Sequence, residues 1–118
     1  MNLTFTHGHS FTGEWKRLRL SDEDLQALEA EIGKRPEAGA LIEGTGGLRK
    51  IRFAPPSWHT GKSGAARVCY VWFVQFQHCF LATIFAKNEK QNLSAADKAG
   101  FRKVISEIRT MIEKGHSS

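Results

Sequence analysis

The clearest structural signal in the sequence lies at residues 67–87, which read RVCYVWFVQFQHCFLATIFAK. Residues 67–74 and 79–87 are apolar at almost every position, and the polar residues between them mark a turn. Strands that are apolar on both faces are covered on both faces, so we expect this hairpin at the centre of a sheet. The interrupting glutamines and histidine would be costly in hydrocarbon, so the sequence predicts two strands and no membrane partner.

A third strand is predicted just before the hairpin, at residues 48–53, with the sequence LRKIRF. Successive side chains of a strand point to opposite faces. Lys50 and Arg52 should therefore lie on one face of the sheet, and Ile51 and Phe53 on the other.

Three helices are predicted around these strands, each from a serine that can serve as an N-cap: Ser10, Ser21 and Ser94. Asp24 and Asp97 stand three residues after the second and third of these serines, as in a capping box. The apolar side chains of the three helices recur at helical spacing. They are Phe11, Trp15 and Leu18; Leu25, Leu28 and Ile32; and Phe101, Val104, Ile105, Ile108, Met111 and Ile112.

The chain of 118 residues, 41% hydrophobic and 25% charged, suits one globular domain with one core. A weakly alternating strand at residues 2–6 precedes the helices. The sequence thus predicts a single α+β domain over residues 1–118. It consists of a short N-terminal strand, two antiparallel helices, a three-stranded antiparallel sheet core and a C-terminal helix.

Two cysteines and no apolar leader in the first twenty residues indicate a reducing, cytoplasmic location. With the hairpin turn centred near residue 76, Cys69 should lie opposite Thr83 and not opposite Cys79. We therefore expect no disulfide.

The charge distribution points to a polyanionic partner. The chain carries 17 Lys and Arg against 12 Asp and Glu, a net charge of +5. Residues 21–43 hold seven of the acids and only two bases, whereas residues 44–88 hold no acid at all. Solvated surfaces normally mix both signs, so nucleic acid is the first candidate and a generally basic protein the alternative. The six bases of the acid-free segment are Arg49, Lys50, Arg52, Lys62, Arg67 and Lys87.

Two other kinds of site are disfavoured. His7 and His9 resemble a metal-binding pair but lack an evident third ligand, so we expect neither a metal nor a cofactor. Ser57, His59 and Ser63 share one loop, but no carboxylate lies within 13 residues of them. A serine-hydrolase triad is improbable on these local grounds, although a distant partner stays open.

The remaining constellation is basic. Arg67 opens the central hairpin and Lys87 closes it, which puts both at the same end of the sheet, near Lys50 and Arg52. Arginine binds phosphate through two parallel hydrogen bonds, and lysine among other cations can act as a base. This chemistry fits attack of an RNA 2′-OH on its own phosphodiester. The alternative is a purely structural role, in which these side chains only hydrogen-bond the protein backbone.

The sequence also resembles a known family. EGTGGLRKIRF (residues 43–53), GKSGAARVCYVWF (61–73) and IFAKNEKQNLS (84–94) resemble the HigB-like branch of the RelE/ParE toxin superfamily. The acidic segment at residues 20–42, with its P-x-x-G element at Pro36 to Gly39, matches the family's helical region. The resemblance covers residues 10–112 and implies the fold predicted above.

The resemblance implies catalytic residues at Lys50, Arg52, Arg67 and Lys87. It places Asn88 where better-studied relatives carry another arginine, and it finds no C-terminal tyrosine to stack on a base. Tyr70 is the chain's single tyrosine, so Trp58, His59 or Tyr70 would have to substitute. The predicted RNA-binding residues are Arg49, Lys62, Tyr70, Asn88 and Lys90.

The function that the resemblance implies is that of a type II toxin: a metal-independent endoribonuclease that cuts mRNA on the ribosome and inhibits translation. The partners implied are mRNA, the ribosome and a cognate antitoxin of helix-turn-helix type. The antitoxin could mask the basic site near Lys50, Arg52 and Arg67, which its charge favours. It could instead bind an exposed sheet edge or helix groove, and the acidic helix from Ser21 to Glu31 would suit a basic antitoxin segment. The alternative function is a non-catalytic, ParE-like toxin that binds DNA gyrase or another protein.

Overall fold

The computed structural model describes residues 3–59, 65–90 and 92–116. The predicted α+β fold is confirmed, with a short first strand, two helices, three antiparallel strands and a C-terminal helix. The elements are β1 (Thr4–His7), α1 (His9–Arg17), α2 (Asp22–Lys34), β2 (Ala40–Leu41), β3 (Arg49–Phe53), β4 (Ala66–Phe73), β5 (His78–Ala86) and α3 (Ala95–His116).

The five strands form one sheet in the order β1-β5-β4-β3-β2. Strand β4 pairs antiparallel with β3 and with β5, so the hairpin is central, as predicted. Two pairings were not predicted: β1 lies parallel to β5, and the two-residue β2 extends the sheet beyond β3. The parallel pair makes the sheet mixed. The sequence did not predict this pairing because a four-residue strand carries no local signal that selects its partner.

Both faces of the hairpin are covered, which explains why its residues are apolar throughout. On one face, Tyr70 and Leu81 belong to a buried cluster with Phe11 of α1 and Leu28 of α2. On the other face, alternate hairpin residues pack with Ile105 of α3. The apolar stripe of α3 is narrower than predicted, since Val104 and Met111 are 40% and 69% exposed.

The cap of α2 is confirmed. Ser21 Oγ accepts a hydrogen bond from the Asp24 amide at 3.1 Å, and Asp24 Oδ2 accepts one from the Ser21 amide at 2.9 Å. Ser94 and Asp97 form the same reciprocal pair before α3. These bonds satisfy amides that the first turn of a helix leaves unpaired.

The predicted cap of α1 is wrong. Gly8 precedes the helix, and Ser10 Oγ instead lies 2.7 Å from Thr83 Oγ1 on the sheet. The Gly8 amide donates to the carbonyl of Leu81, continuing the β1–β5 pairing into the helix start. A Cβ at Gly8 would come within 2.7 Å of the Phe80 ring, so this close approach requires glycine.

The two cysteines lie as the turn position predicted. Cys69 is opposite Thr83, and both Cys69 and Cys79 are free and buried. Burial raises the pKa of both thiols to about 12. Neither is a nucleophile near neutral pH, since the thiolate is the reactive form.

Candidate nucleic-acid interface

Three of the predicted cations project from one face of the sheet. The β3–β4 register sets Lys50 opposite Cys69 and Arg52 opposite Arg67. Directly opposed residues share a face, and Cys69 belongs to the buried cluster on the α3 side. We call Lys50, Arg52 and Arg67 on this side the basic face.

Arg52 and Arg67 form an uncompensated pair of like charges. Arg52 is exposed, and Arg67 is half-buried with its Nη1 donating to the carbonyl of Ala65 at 3.2 Å. In the described part of the chain neither arginine forms an ion pair with a carboxylate. Like charges directly opposite one another on a sheet are destabilising. The pair is therefore suited to receive an anion from outside the protein.

Lys50 lies opposite the buried Cys69, and Lys90 is close enough for its charge to act on the Cys69 thiol. Burial raises the pKa of that thiol, and the positive charges of both lysines oppose the rise. Lys50 Nζ donates to Asn92 Oδ1 at 2.9 Å. Lys90 Nζ lies 5.1 Å from the centre of the Phe85 ring, and Phe85 is the β5 residue opposite Arg67. Lys90 thus extends the basic face along β5.

Lys87 and Asn88 are exposed residues directly after β5. The β4–β5 register pairs Ala66 with Ala86, so Lys87 lies at the end of the sheet where β4 begins and Arg67 is its second residue. The predicted common end for Arg67 and Lys87 is confirmed.

Arg49 lies on the opposite face from its neighbour Lys50. It is opposite Tyr70 in the β3–β4 register, and its Nη1 donates to the carbonyls of Glu37 and Gly39, both at 2.8 Å. Arg49 therefore holds the turn before β2. This placement does not fit the predicted role in RNA binding, because strand alternation turns it away from the basic face.

Tyr70 is fully buried on the α2 side, with 0% of its surface exposed. Its hydroxyl donates to the carbonyl of Pro36 at 2.7 Å and accepts from the amide of Gly39 at 3.1 Å. Burial raises its pKa. A side chain with no exposed surface cannot stack on a base, so the predicted RNA contact does not fit the structure. The P-x-x-G element supplies the hydroxyl's two partners instead.

The loop after β3 holds the other predicted aromatic residues. Trp58 packs against the core on the α1–α2 side, and His59 is exposed. Of the candidates for base stacking, Trp58 is partly buried, Tyr70 is fully buried and His59 is the most exposed. Lys62 lies outside the described residues.

Ser57 has the distant carboxylate partner that local sequence could not show. Its Oγ donates to Asp24 Oδ2 at 2.6 Å, and its amide donates to Asp24 Oδ1 at 3.0 Å. Asp24 also accepts from the amide and hydroxyl of Ser21. Burial disfavours the charged carboxylate, but these hydrogen bonds outweigh it and lower the pKa of Asp24. The arrangement ties the loop to the start of α2 and is not a hydrolase triad, since no described histidine bonds Ser57.

The two histidines singled out in the sequence have different surroundings. His7 Nε2 lies 3.1 Å from Glu29 Oε2, and His9 is exposed. Within residues 3–59, 65–90 and 92–116, no three His, Cys, Asp or Glu side chains are grouped so that they could hold a metal ion. Among the same residues, no helix has the length and apolar character needed to cross a membrane.

The architecture matches solved structures of an E. coli toxin. The chain has a TM-score of 0.51 to the intact RelBE toxin–antitoxin complex, at 17% identity, over 70% of this chain and 94% of that one. A double arginine-to-alanine variant of RelE in the free state gives 0.51, at 17% identity, over 77% and 90%. Isolated RelE gives 0.50, at 17% identity, over 91% and 99%.

This chain has the RelE fold. No family model matches the sequence. At 17% identity the similarity concerns architecture, so the function has to be argued from the residues that this RelE fold presents.

The Arg52–Arg67 pair should cost stability in the RelE fold. We expect Arg52→Gln to raise the free energy of unfolding by about 0.5 kcal/mol, because it removes a like-charge contact from an exposed position. Urea unfolding at low salt measures the change, and added salt should shrink it by screening the repulsion. A loss of stability would mean that Arg52 has a favourable partner.

Proposed function

We propose that this protein is the toxin of a type II toxin–antitoxin pair, of the HigB-like branch of the RelE/ParE superfamily. It acts in the cytoplasm as a metal-independent, ribosome-dependent mRNA endoribonuclease and inhibits translation. The observation that carries the proposal is the uncompensated pair Arg52 and Arg67, beside Lys50 and Lys90. A strand pair that opposes two arginines without a carboxylate is unfavourable unless an anion binds there.

The proposed reaction assigns a task to each group of cations. Arg52 and Arg67 bind the scissile phosphate and stabilise the extra negative charge of the pentavalent phosphorane. Lys50 and Lys87 carry out the proton transfers. The 2′-oxygen loses its proton and bonds to phosphorus, and the 5′-oxygen leaves and takes up a proton. The product ends are a 2′,3′-cyclic phosphate and a 5′-hydroxyl.

The proposed RNA contacts beyond the reacting phosphate are Lys90, Asn88 and Lys62, with His59 as the stacking side chain. Lys90 and Asn88 follow β5 at the end of the sheet where Arg67 lies. The proposal leaves out Arg49 and Tyr70, because both are engaged on the α2 side of the sheet.

Inducing the protein in a host cell tests the proposal directly. We expect growth arrest, with new mRNA 5′ ends inside translated codons and unchanged DNA supercoiling. Altered supercoiling without new ends would instead support the gyrase-binding alternative. Binding to RNA without cleavage would indicate a plain RNA-binding domain. An adjacent reading frame that relieves the arrest would supply the proposed antitoxin.

Binding to mRNA-loaded ribosomes should depend steeply on salt. If Lys50, Arg52, Arg67 and Lys90 each neutralise a phosphate, affinity should fall about 50-fold between 50 and 200 mM salt, as counterions are released. Fluorescence anisotropy over a salt series measures the slope, and Arg52→Gln should lower its magnitude by about 0.7. An affinity that stays flat over this range would contradict a phosphate-binding face.

A further inference from the structure

The segment that carries Lys87, Asn88 and Lys90 is a tight turn closed by one carboxylate. The amides of Glu89 and Lys90 donate to the carbonyl of Ala86 at 3.1 and 3.4 Å. Glu89 Oε1 in turn accepts from the Ala86 amide at 3.3 Å. The Glu89 side chain therefore folds back on the last residue of β5 and fixes the shape of the turn.

The same carboxylate is held by a residue of α1. Arg17 donates to Glu89 through both terminal nitrogens, Nη1 to Oε2 at 2.6 Å and Nη2 to Oε1 at 2.7 Å. Its Nε also donates to Glu14 Oε2 at 2.7 Å, within α1 itself. A two-bond fork constrains direction as well as distance, which a single lysine contact does not.

The other end of the turn is tied to α3. Lys90 Nζ lies 3.5 Å from Asp97 Oδ2, and Asp97 is held by its reciprocal bonds with Ser94. The turn is thus attached to a helix on each side of the sheet. Exposed ion pairs add little to stability, so the effect of this attachment should appear in the geometry of the turn.

We propose that Arg17 and Glu89 are positioning residues, which hold the turn so that Lys87 and Asn88 face the phosphate bound at Arg67. This inference rests on the proposed endoribonuclease function. Glu89 is the first acid after the acid-free segment. A carboxylate beside an RNA site opposes RNA binding unless it is neutralised, and the Arg17 fork neutralises it.

A positioning role and a purely electrostatic role predict different effects of Glu89→Gln on RNA binding and cleavage. Removing an acid near the basic face should strengthen RNA binding if only charge matters. If the fork positions the turn, cleavage should slow, because an amide has a single acceptor oxygen and cannot receive two parallel bonds from Arg17. Arg17→Lys keeps every charge but loses the fork, so it should slow cleavage as well. Glu14→Gln is the matched control, since it removes an acid bound to the same arginine and leaves the fork on Glu89.

The experiment is single-turnover cleavage of mRNA on purified ribosomes, with rate and half-saturating concentration measured for each variant. We expect Glu89→Gln and Arg17→Lys to lower the maximal rate about tenfold without weakening binding. Their melting temperatures should stay unchanged, and hydrogen exchange should rise at residues 86–90. Glu14→Gln should cut at least as fast as the unaltered protein.

Two outcomes would contradict the positioning role while leaving the proposed function intact. One is that Glu89→Gln cuts as fast as the unaltered protein. The other is that the variants lose rate only in proportion to a lowered melting temperature. Arg67→Ala in the same assay separates this from failure of the proposed function. If the unaltered protein cuts nothing, or if Arg67→Ala cuts normally, the proposed function fails and the positioning role fails with it.

Discussion

Replacing Arg67 by alanine should abolish growth arrest and slow mRNA cleavage by about 10²–10³-fold, the effect of removing one donor to a developing charge. Arg67 is the second residue of the central strand β4 and lies opposite Arg52, and one bond to the Ala65 carbonyl already orients its guanidinium. Its contribution to packing is small, because the side chain is only half-buried. The fold should therefore survive while the anion site is lost.

Arg35→Ala is the matched control for this substitution. It removes the same charge from a side chain that is 75% exposed and 3.9 Å from Glu37, away from the basic face. Growth arrest should persist with Arg35→Ala, and circular dichroism should show both variants folded. If Arg67→Ala still arrests growth and the purified variant is folded, this arginine has no part in the activity. An unfolded Arg67→Ala would give the side chain a structural role.

Replacing Asp24 by alanine should lower the free energy of unfolding by about 3 kcal/mol at pH 7. The carboxylate is 1% exposed and accepts from the amides and hydroxyls of both Ser21 and Ser57. Its loss leaves these donors unpaired and removes half of the capping box of α2. Asp22→Ala, at an exposed position of the same first turn, should change stability by less than about 0.5 kcal/mol.

The contribution of Asp24 should also depend on pH in a defined direction. Its pKa is lower in the folded protein than in the unfolded chain, where it is about 3.9. The stabilisation is therefore complete above about pH 4 and is lost as the pH falls through the folded value. Urea unfolding from pH 7 to pH 2 should show the Asp24→Ala difference shrinking at acid pH. A difference that is constant with pH would mean that the ionised form is not what stabilises the fold.

Local rules of sequence were sufficient for the central part of this molecule. The doubly apolar hairpin predicted a strand pair buried on both faces, and its turn position predicted Cys69 opposite Thr83. Period-two alternation placed Lys50 and Arg52 on one face. These predictions succeeded because each depends on residues close together in the chain, whose geometry the backbone itself determines.

Some residues stood out in the sequence, but their roles became clear only from their contacts in the folded protein. The P-x-x-G element and the single tyrosine were both visible, but their hydrogen-bonded contact joins residues more than thirty positions apart. Arg49 counted among the bases of the acid-free segment, yet alternation turns it towards the α2 side. Charge counts along a chain ignore the face on which each charge lies, so the segment overstated the number of cations available to RNA.

Sequence patterns alone predicted every strand except β2, the three helices, two of the caps and the strand that presents Lys50 and Arg52. Three contacts depend on tertiary packing: β1 lies parallel to β5, Ser10 bonds the sheet instead of capping α1, and Arg17 donates two hydrogen bonds to Glu89. Each of these contacts joins residues about seventy positions apart. Their partners are selected by which surfaces remain unpaired after the central hairpin and its helices have packed, and no local pattern of residues encodes that choice.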